Sequence, residues 1–182
     1  MKPNKLVAAA SVIICALFMS AMSFADSKTE IDASVSEALK QFHMLDPTHE
    51  KLAENAAGML IFPRVTKAGV GISGEYGEGV LQVKGQTVNY YSVTAASIGL
   101  TLGAAKRSEI IMFNTPQALA AFISSKGWSI GADTGIALAS KGAGGSYDTQ
   151  TLQKPIVGFV FGEKGLIADL SLEGSKINKI EK

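Results

Sequence analysis

The stretch Ala57-Gly58-Met59-Leu60-Ile61-Phe62-Pro63 divides the chain in two, because every one of its 19 glycines lies at or after Gly58. Before it the pattern is helical. From Lys28 to Leu45 the apolar residues Ile31, Val35, Ala38, Leu39, Phe42 and Leu45 recur at spacings of three and four, which places them on one helix face. Asp46-Pro47 then reads as N-cap and first helical residue of a second helix through Leu52 and Ala56, ended by Gly58. After it the pattern is β. Met59–Phe62 is a short apolar run stopped by Pro63, with Arg64 and Lys67 in the loop that follows.

Working outward, Val80–Val83, Lys84-Gly85-Gln86 and Thr87–Tyr91 predict a hairpin with Gly85 in its turn. Ile98–Leu102 and Glu109–Phe113 continue the strand pattern, with Lys106-Arg107 expected at the turn between them. Thr115-Pro116 opens a helix to about Ser125 whose apolar face is Ala118, Leu119, Phe122 and Ile123, and Gly127 ends it. Pro155–Phe161 and Leu166–Leu172 form two last strands, joined by Gly162-Glu163-Lys164-Gly165. The fold class is therefore α+β: N-terminal helices packed on a glycine-rich antiparallel sheet or barrel-like body, with one further helix near 115–126.

Residues 1–25 have a basic start at Lys2 and Lys5, an apolar run from Leu6 to Met19 and a small-residue exit at Ser23-Phe24-Ala25. That is the layout of a cleaved secretory signal, and the run is shorter than the roughly 20 residues that a spanning helix needs. Export to the periplasm, outer membrane or exterior is the expectation. Cys15, the only cysteine, follows Ile14 rather than the small residue that a lipidation site wants, and is lost with the signal. The mature chain then has neither a disulfide nor a thiolate metal site. About 157 of the 182 residues remain, a size for one domain, read as a helical arm at 26–57 and a sheet-rich body at 58–182. Without Lys2 and Lys5 the formal charge falls from +1 to about −1, so nothing global pulls the chain toward nucleic acid.

The glycine-dense second half carries few ionisable side chains, which argues against an enzyme. Gly69-Val70-Gly71-Ile72-Ser73-Gly74 matches the dinucleotide fingerprint, but Glu75–Gly79 leads into another strand where a helix should follow. Gly127-Trp128-Ser129-Ile130-Gly131 matches the nucleophile elbow of the α/β-hydrolases, yet a helix precedes it. Both histidines, His43 and His49, lie upstream, whereas that fold places its histidine after the serine. Trp128 is better read as a packing residue. His43 and His49 are not at a metal spacing and read as solvated or helix-end side chains. Asp133, Asp148 and Asp169 suit turns and caps, since no calcium loop surrounds them. Tyr76, Tyr90 and Tyr91 read as strand packing rather than as base-stacking platforms. No cofactor is implied.

Several pieces in order carry a family resemblance: Ala57–Pro63 with Lys67-Ala68-Gly69, Gly77–Leu81, Tyr91-Ser92 to Gly103, Gly127-Trp128 to Gly145-Ser146, Gly158–Phe161 with Lys164-Gly165-Leu166, and Leu172–Ile177. Together they resemble the SYLF domain, also called the Ysc84-type domain, of secreted bacterial proteins and of eukaryotic membrane-trafficking and actin-associated proteins. The resemblance implies phospholipid binding, phosphoinositides in the eukaryotic members, and an N-terminal amphipathic helix that enters the membrane. Some fungal members bind actin filaments. Carried onto this chain, the helix is Lys28–Leu45, with Ile31, Val35, Leu39 and Phe42 as its apolar stripe and Lys28 and Lys40 on its polar face. Glu30, Asp32 and Glu37 offset those lysines, and Thr101 stands where glutamine is expected.

Two readings of the surface follow. In one, Arg64, Lys67, Lys106 and Arg107 are loop cations that hold anionic headgroups of a phospholipid membrane while the stripe enters the bilayer surface. In the other, the stripe packs on the sheet as any amphipathic surface helix does, and the domain contacts a protein partner through strand edges or glycine-rich loops.

Overall fold

The computed structural model describes residues 26–131, 135–141, 147–163, 165–167 and 172–182, with backbone alone at 70–71 and 97–103. Helix α1 spans Lys28–Leu45 and starts at a capping box, in which Ser27 Oγ accepts from the Glu30 N–H and the Glu30 carboxylate accepts from the Ser27 N–H. Helix α2, Thr48–Asn55, follows after Asp46, whose carboxylate accepts from the Thr48 N–H at 2.8 Å. No helix among the described residues is long and apolar enough to cross a membrane.

The body is built on one folded hairpin. Strand β1, Gly58–Val83, pairs antiparallel with β2, Gln86–Phe113, from Val83↔Gln86 to Gly58↔Phe113. Lys84 (φ 51°) and Gly85 (φ 73°) make the turn, the left-handed pair that suits a two-residue hairpin loop. Helix α3, Pro116–Ser124, is capped by Thr115, and its Phe122 is buried. The short strands β3 (Trp128–Ser129) and β4 (Ile136–Leu138) come next. Asp148 caps the single turn α4, Thr149–Leu152. Strands β5 (Ile156–Gly162), β6 (Gly165–Leu166) and β7 (Lys176–Ile180) complete the described elements.

Strand β2 organises the sheet. Its Tyr90–Thr94 segment pairs with β7, and Ser108–Phe113 pairs with β5. β4 lies parallel to β5, so the sheet is mixed rather than purely antiparallel as expected. β1 also bends back on itself. A Cβ at Gly79 would lie 2.1 Å from the Ile61 carbonyl oxygen, and one at Gly69 would lie 2.5 Å from the Ser73 Cα. The two halves of β1 therefore cross at backbone contact, with the corner at 69–73, and the body curls into a half-barrel.

Both faces of the central sheet are covered. Met59, Ile61, Ile110, Met112, Val157, Phe159 and Phe161 pack with α1, while Leu60, Phe62, Ile111, Phe113 and Val160 pack on the other side with Phe122. Strands buried on two faces read as unbroken apolar runs, which is why Met59–Phe62 and Val157–Phe161 were recognisable.

Several expectations need correction. Pro63 does not stop the strand but sits in a bulge between Phe62 and Val65, where its missing N–H is harmless. Arg64 and Lys67 are thus strand residues. Lys106 and Arg107 are not at a turn either, because β2 runs unbroken through them and pairs them with Thr66 and Val65. The last hairpin is tighter than expected: Gly162 pairs with Gly165 and Phe161 with Leu166, while 168–171 lie outside the described residues. Strand β7 was not anticipated.

Candidate functional site

The bulge at Pro63 and the strand continuity through Lys106 bring three of the expected cations to one place. Arg64, Lys106 and Arg107 line an open cleft of about 640 Å³, together with Gln41 of α1, Ser108, Gly162, Glu163 and Gly165 to Ile167. Gln41 donates to the Gly162 carbonyl oxygen at 2.9 Å and so ties α1 to the far wall. Ser108 donates to the Pro63 carbonyl oxygen at 2.8 Å and holds the bulge.

The three cations are not equivalent. Arg107 is buried: its Nε donates to Glu109 at 2.8 Å and its Nη2 to Glu75 at 2.5 Å. Burial pushes the Glu109 carboxyl up, against the pull of the Arg107 charge. Burial also opposes the charge on Glu75, but Arg107 and Lys67 outweigh it and hold that carboxyl below its ordinary value. Lys67 completes the cluster, 3.3 Å from Glu75. Arg107 and Lys67 are therefore committed to carboxylates. Arg64 donates to Ser34 Oγ at 2.8 Å and stays 3.8 Å from Asp26, with its side chain 46% exposed, and Lys106 is exposed. Arg64 and Lys106 are the cations a ligand can reach.

The other expected residues lie elsewhere. Ile31, Val35 and Phe42 are each no more than 2% exposed against the sheet, and Leu39 is half-buried beside them. Lys28 sits over the Tyr90 ring at 5.6 Å, while Tyr90 donates to the Asp32 carboxylate at 2.9 Å. Lys40 lies on the exposed face, 3.9 Å from Glu37. The stripe is packed, as an amphipathic surface helix predicts.

One group escaped sequence reasoning. His49 is fully buried rather than solvated, stacked on Phe42 with ring centroids 3.9 Å apart. Its Nδ1 lies 2.6 Å from the Phe42 carbonyl oxygen, which can only accept, so Nδ1 carries the proton and Nε2 accepts from the Tyr147 hydroxyl. Burial lowers its pKa. Beside it Lys141 pairs with Asp46 at 2.8 Å. The signal was Tyr147, 98 residues away, which no spacing rule connects to a helix.

The tempting motifs dissolve into strands. Gly69–Gly74 lies within β1, and Ser129 lies in β3 paired with Lys176 of β7. Trp128 packs at 5.2 Å from Phe122, as expected of a packing residue. Asp148 is a cap, whereas Asp133 and Asp169 lie outside the described residues. Among the described residues no group of three or more His, Cys, Asp or Glu could hold a metal.

A family model described as Ysc84, Las17-binding protein actin regulator, matches residues 94–182. Over these residues the chain is similar to the Ysc84 domain. A comparison with curated proteins returns no match. The Ysc84 match begins at Thr94 inside β2, so it takes in Lys106, Arg107 and the cleft wall formed by Gly162, Glu163 and Gly165 to Ile167. Gln41, Arg64 and the α1 stripe come from segments ahead of it, and the cleft forms where the two parts of the chain meet.

Proposed function

We propose that this chain is a non-enzymatic binding domain that holds anionic phospholipid headgroups at a membrane surface, with Arg64 and Lys106 as the contacting cations and α1 docked. The observation that carries this reading is the shared open cleft, lined by two accessible cations with Gln41, Ser108 and a single acid among the described residues, Glu163, while Arg107 is neutralised by Glu109 and Glu75. A headgroup phosphate needs charge-assisted donors at an accessible mouth, and this cleft supplies them. The layout of residues 1–25 supports export, and with it a site of action at the bacterial envelope or outside it.

Insertion of the α1 stripe would first require Ile31, Val35 and Phe42 to leave the core. Headgroup contact needs no such opening. Co-sedimentation with vesicles of phosphatidylcholine, with and without phosphatidylglycerol, at low and high salt tests the reading. Salt-sensitive binding to the anionic vesicles, lost in Arg64→Gln/Lys106→Gln, is expected. Protein that stays in the supernatant throughout overturns it.

A second reading is protein binding without direct lipid contact. The docked helix favours it, and the family description names binding to a protein, Las17. It becomes the better account if vesicle binding fails.

A further inference from the structure

The corner of the folded hairpin differs in character from the rest of the sheet. β2 pairs with β7 only as far as Thr94 and with β5 only from Ser108, so across 95–107 β1 is its sole partner among the described strands. Up to Ala105 this bare stretch carries no charge. Between Lys67 and Glu75 the sequence is Ala-Gly-Val-Gly-Ile-Ser-Gly, and from Gly85 to Ala105 there is not one ionisable acid or base apart from the two tyrosines at 90 and 91. Ile72 at the corner is 68% exposed, a high value for a large apolar side chain in a strand.

Charge and aromatic character return together at the neck. Lys67 pairs in register with Ala105 and Thr66 with Lys106, which sets the two lysines at the same level on both strands. Tyr76, 45% exposed, sits at the other side of the corner and donates to Glu78 at 2.6 Å. An uncharged tip below a ring of lysine and tyrosine matches the depth profile of a bilayer surface, where apolar groups enter the acyl boundary while tyrosine and lysine stay at headgroup level. Lys106 also lines the cleft, so the tip continues the headgroup site downward.

We infer that the hairpin corner, Ala68–Gly74 with its partners in Ala96–Ala104, is a shallow membrane-contact element that enters the lipid surface when the cleft holds a headgroup. The inference rests on the lipid-binding reading and adds the apolar half of the contact, which α1 does not supply while docked. Pairing between β1 and β2 satisfies backbone groups on the facing edges on either side of the register shift between Val70 and Ile72, which lowers the cost of leaving water and limits the contact to a shallow one.

The test uses the full chain in a Cys15→Ser background, with a single cysteine at Ile72 or, as control, at Val88, labelled with an environment-sensitive fluorophore. Val88 is also exposed, at 47%, but lies near the Lys84-Gly85 turn at the opposite end of the hairpin. With phosphatidylcholine–phosphatidylglycerol vesicles the probe at 72 is expected to shift to the blue, and the probe at 88 is not. Ile72→Glu is expected to keep the wild-type melting temperature and lose at least about tenfold in vesicle partitioning at high salt, where headgroup attraction is screened. Arg64→Gln/Lys106→Gln should lose the salt-sensitive part alone. Sedimentation with the vesicles but no shift at 72 overturns the corner as a contact and leaves the cleft standing. If the wild type does not sediment at all, both the cleft and the corner are overturned.

Discussion

Replacing Phe42 by alanine tests whether α1 is held on the body in solution. Its ring is fully buried, stacked on His49 at 3.9 Å and edge-on to Phe159 at 5.0 Å, with Phe161 at 5.7 Å. A buried phenyl group hides on the order of 150 Å² from water, worth about 4 kcal/mol at roughly 25 cal/mol per Å². A rigid sheet on one side and His49 on the other leave little room to collapse into the void, so the loss should reach the range of about 3–5 kcal/mol seen for aromatic truncation in cores. For a domain of this size that is a fall in melting temperature of roughly 10 °C. Urea unfolding followed by circular dichroism reads the loss, with Met44→Ser on the same helix as control. Met44 is 78% exposed, so its replacement should change stability by less than about 0.5 kcal/mol. A Phe42→Ala loss under about 1 kcal/mol, close to that of the control, would refute a docked helix and return α1 to the membrane.

Other consequences can be checked with the same assay. Arg107→Met should cost about 3–5 kcal/mol, because it strands the buried Glu109 carboxylate and leaves Glu75 with Lys67 alone; a cost below about 1 kcal/mol would show that the cluster is not buried in solution. Gly79→Ala should destabilise by several kcal/mol, since its Cβ would meet the Ile61 carbonyl oxygen at 2.1 Å, whereas Gly74→Ala, with open space around it, should be tolerated. Burial keeps the folded-state pKa of His49 below the ordinary 6.5, so as pH falls through 6.5 the unfolded chain takes up a proton that the folded one refuses. Stability should therefore decline from pH 7 toward pH 5, with a shallower slope in His49→Asn. Asp46 acts in a lower window: its carboxyl is held well below 3.8 by hydrogen bonds from Lys141 and Thr48, so its contribution is complete above that value and lost in stronger acid.

The elements legible in the sequence were those whose signal is local. The stripe from Ile31 to Phe42, the cap at Thr115-Pro116 and the Lys84-Gly85 turn each depend on a few neighbouring residues, and each is where the pattern puts it. Misreadings arose where a distant partner changes the meaning of a residue. Lys106-Arg107 looks like a turn until Glu75, on the other strand, is seen to neutralise Arg107 inside the sheet. Pro63 looks like a stop until the bulge absorbs it. His49 looks solvated because its partner Tyr147 follows a glycine-rich segment far along the chain. Strand β7, Lys-Ile-Asn-Lys-Ile, is short and charged, so only its pairing with Tyr90–Thr94 reveals it.

The candidate site was half legible. Composition supplied Arg64, Lys106 and Arg107, but not that the strands bring them to one cleft or that Arg107 faces inward to Glu109. Gln41 drew no notice, being an ordinary polar residue on a helix, and its role comes from the Gly162 carbonyl oxygen across the cleft.

Binding of a short-chain anionic phospholipid, kept below its micelle concentration and followed by backbone and side-chain NMR shifts, tests the cleft without the complication of a membrane. Saturable shifts centred on Gln41, Arg64, Lys106 and Ser108, abolished in Arg64→Gln/Lys106→Gln, are the predicted result. Shifts confined to other surfaces, or none at any concentration below the micelle limit, would contradict headgroup recognition by this cleft.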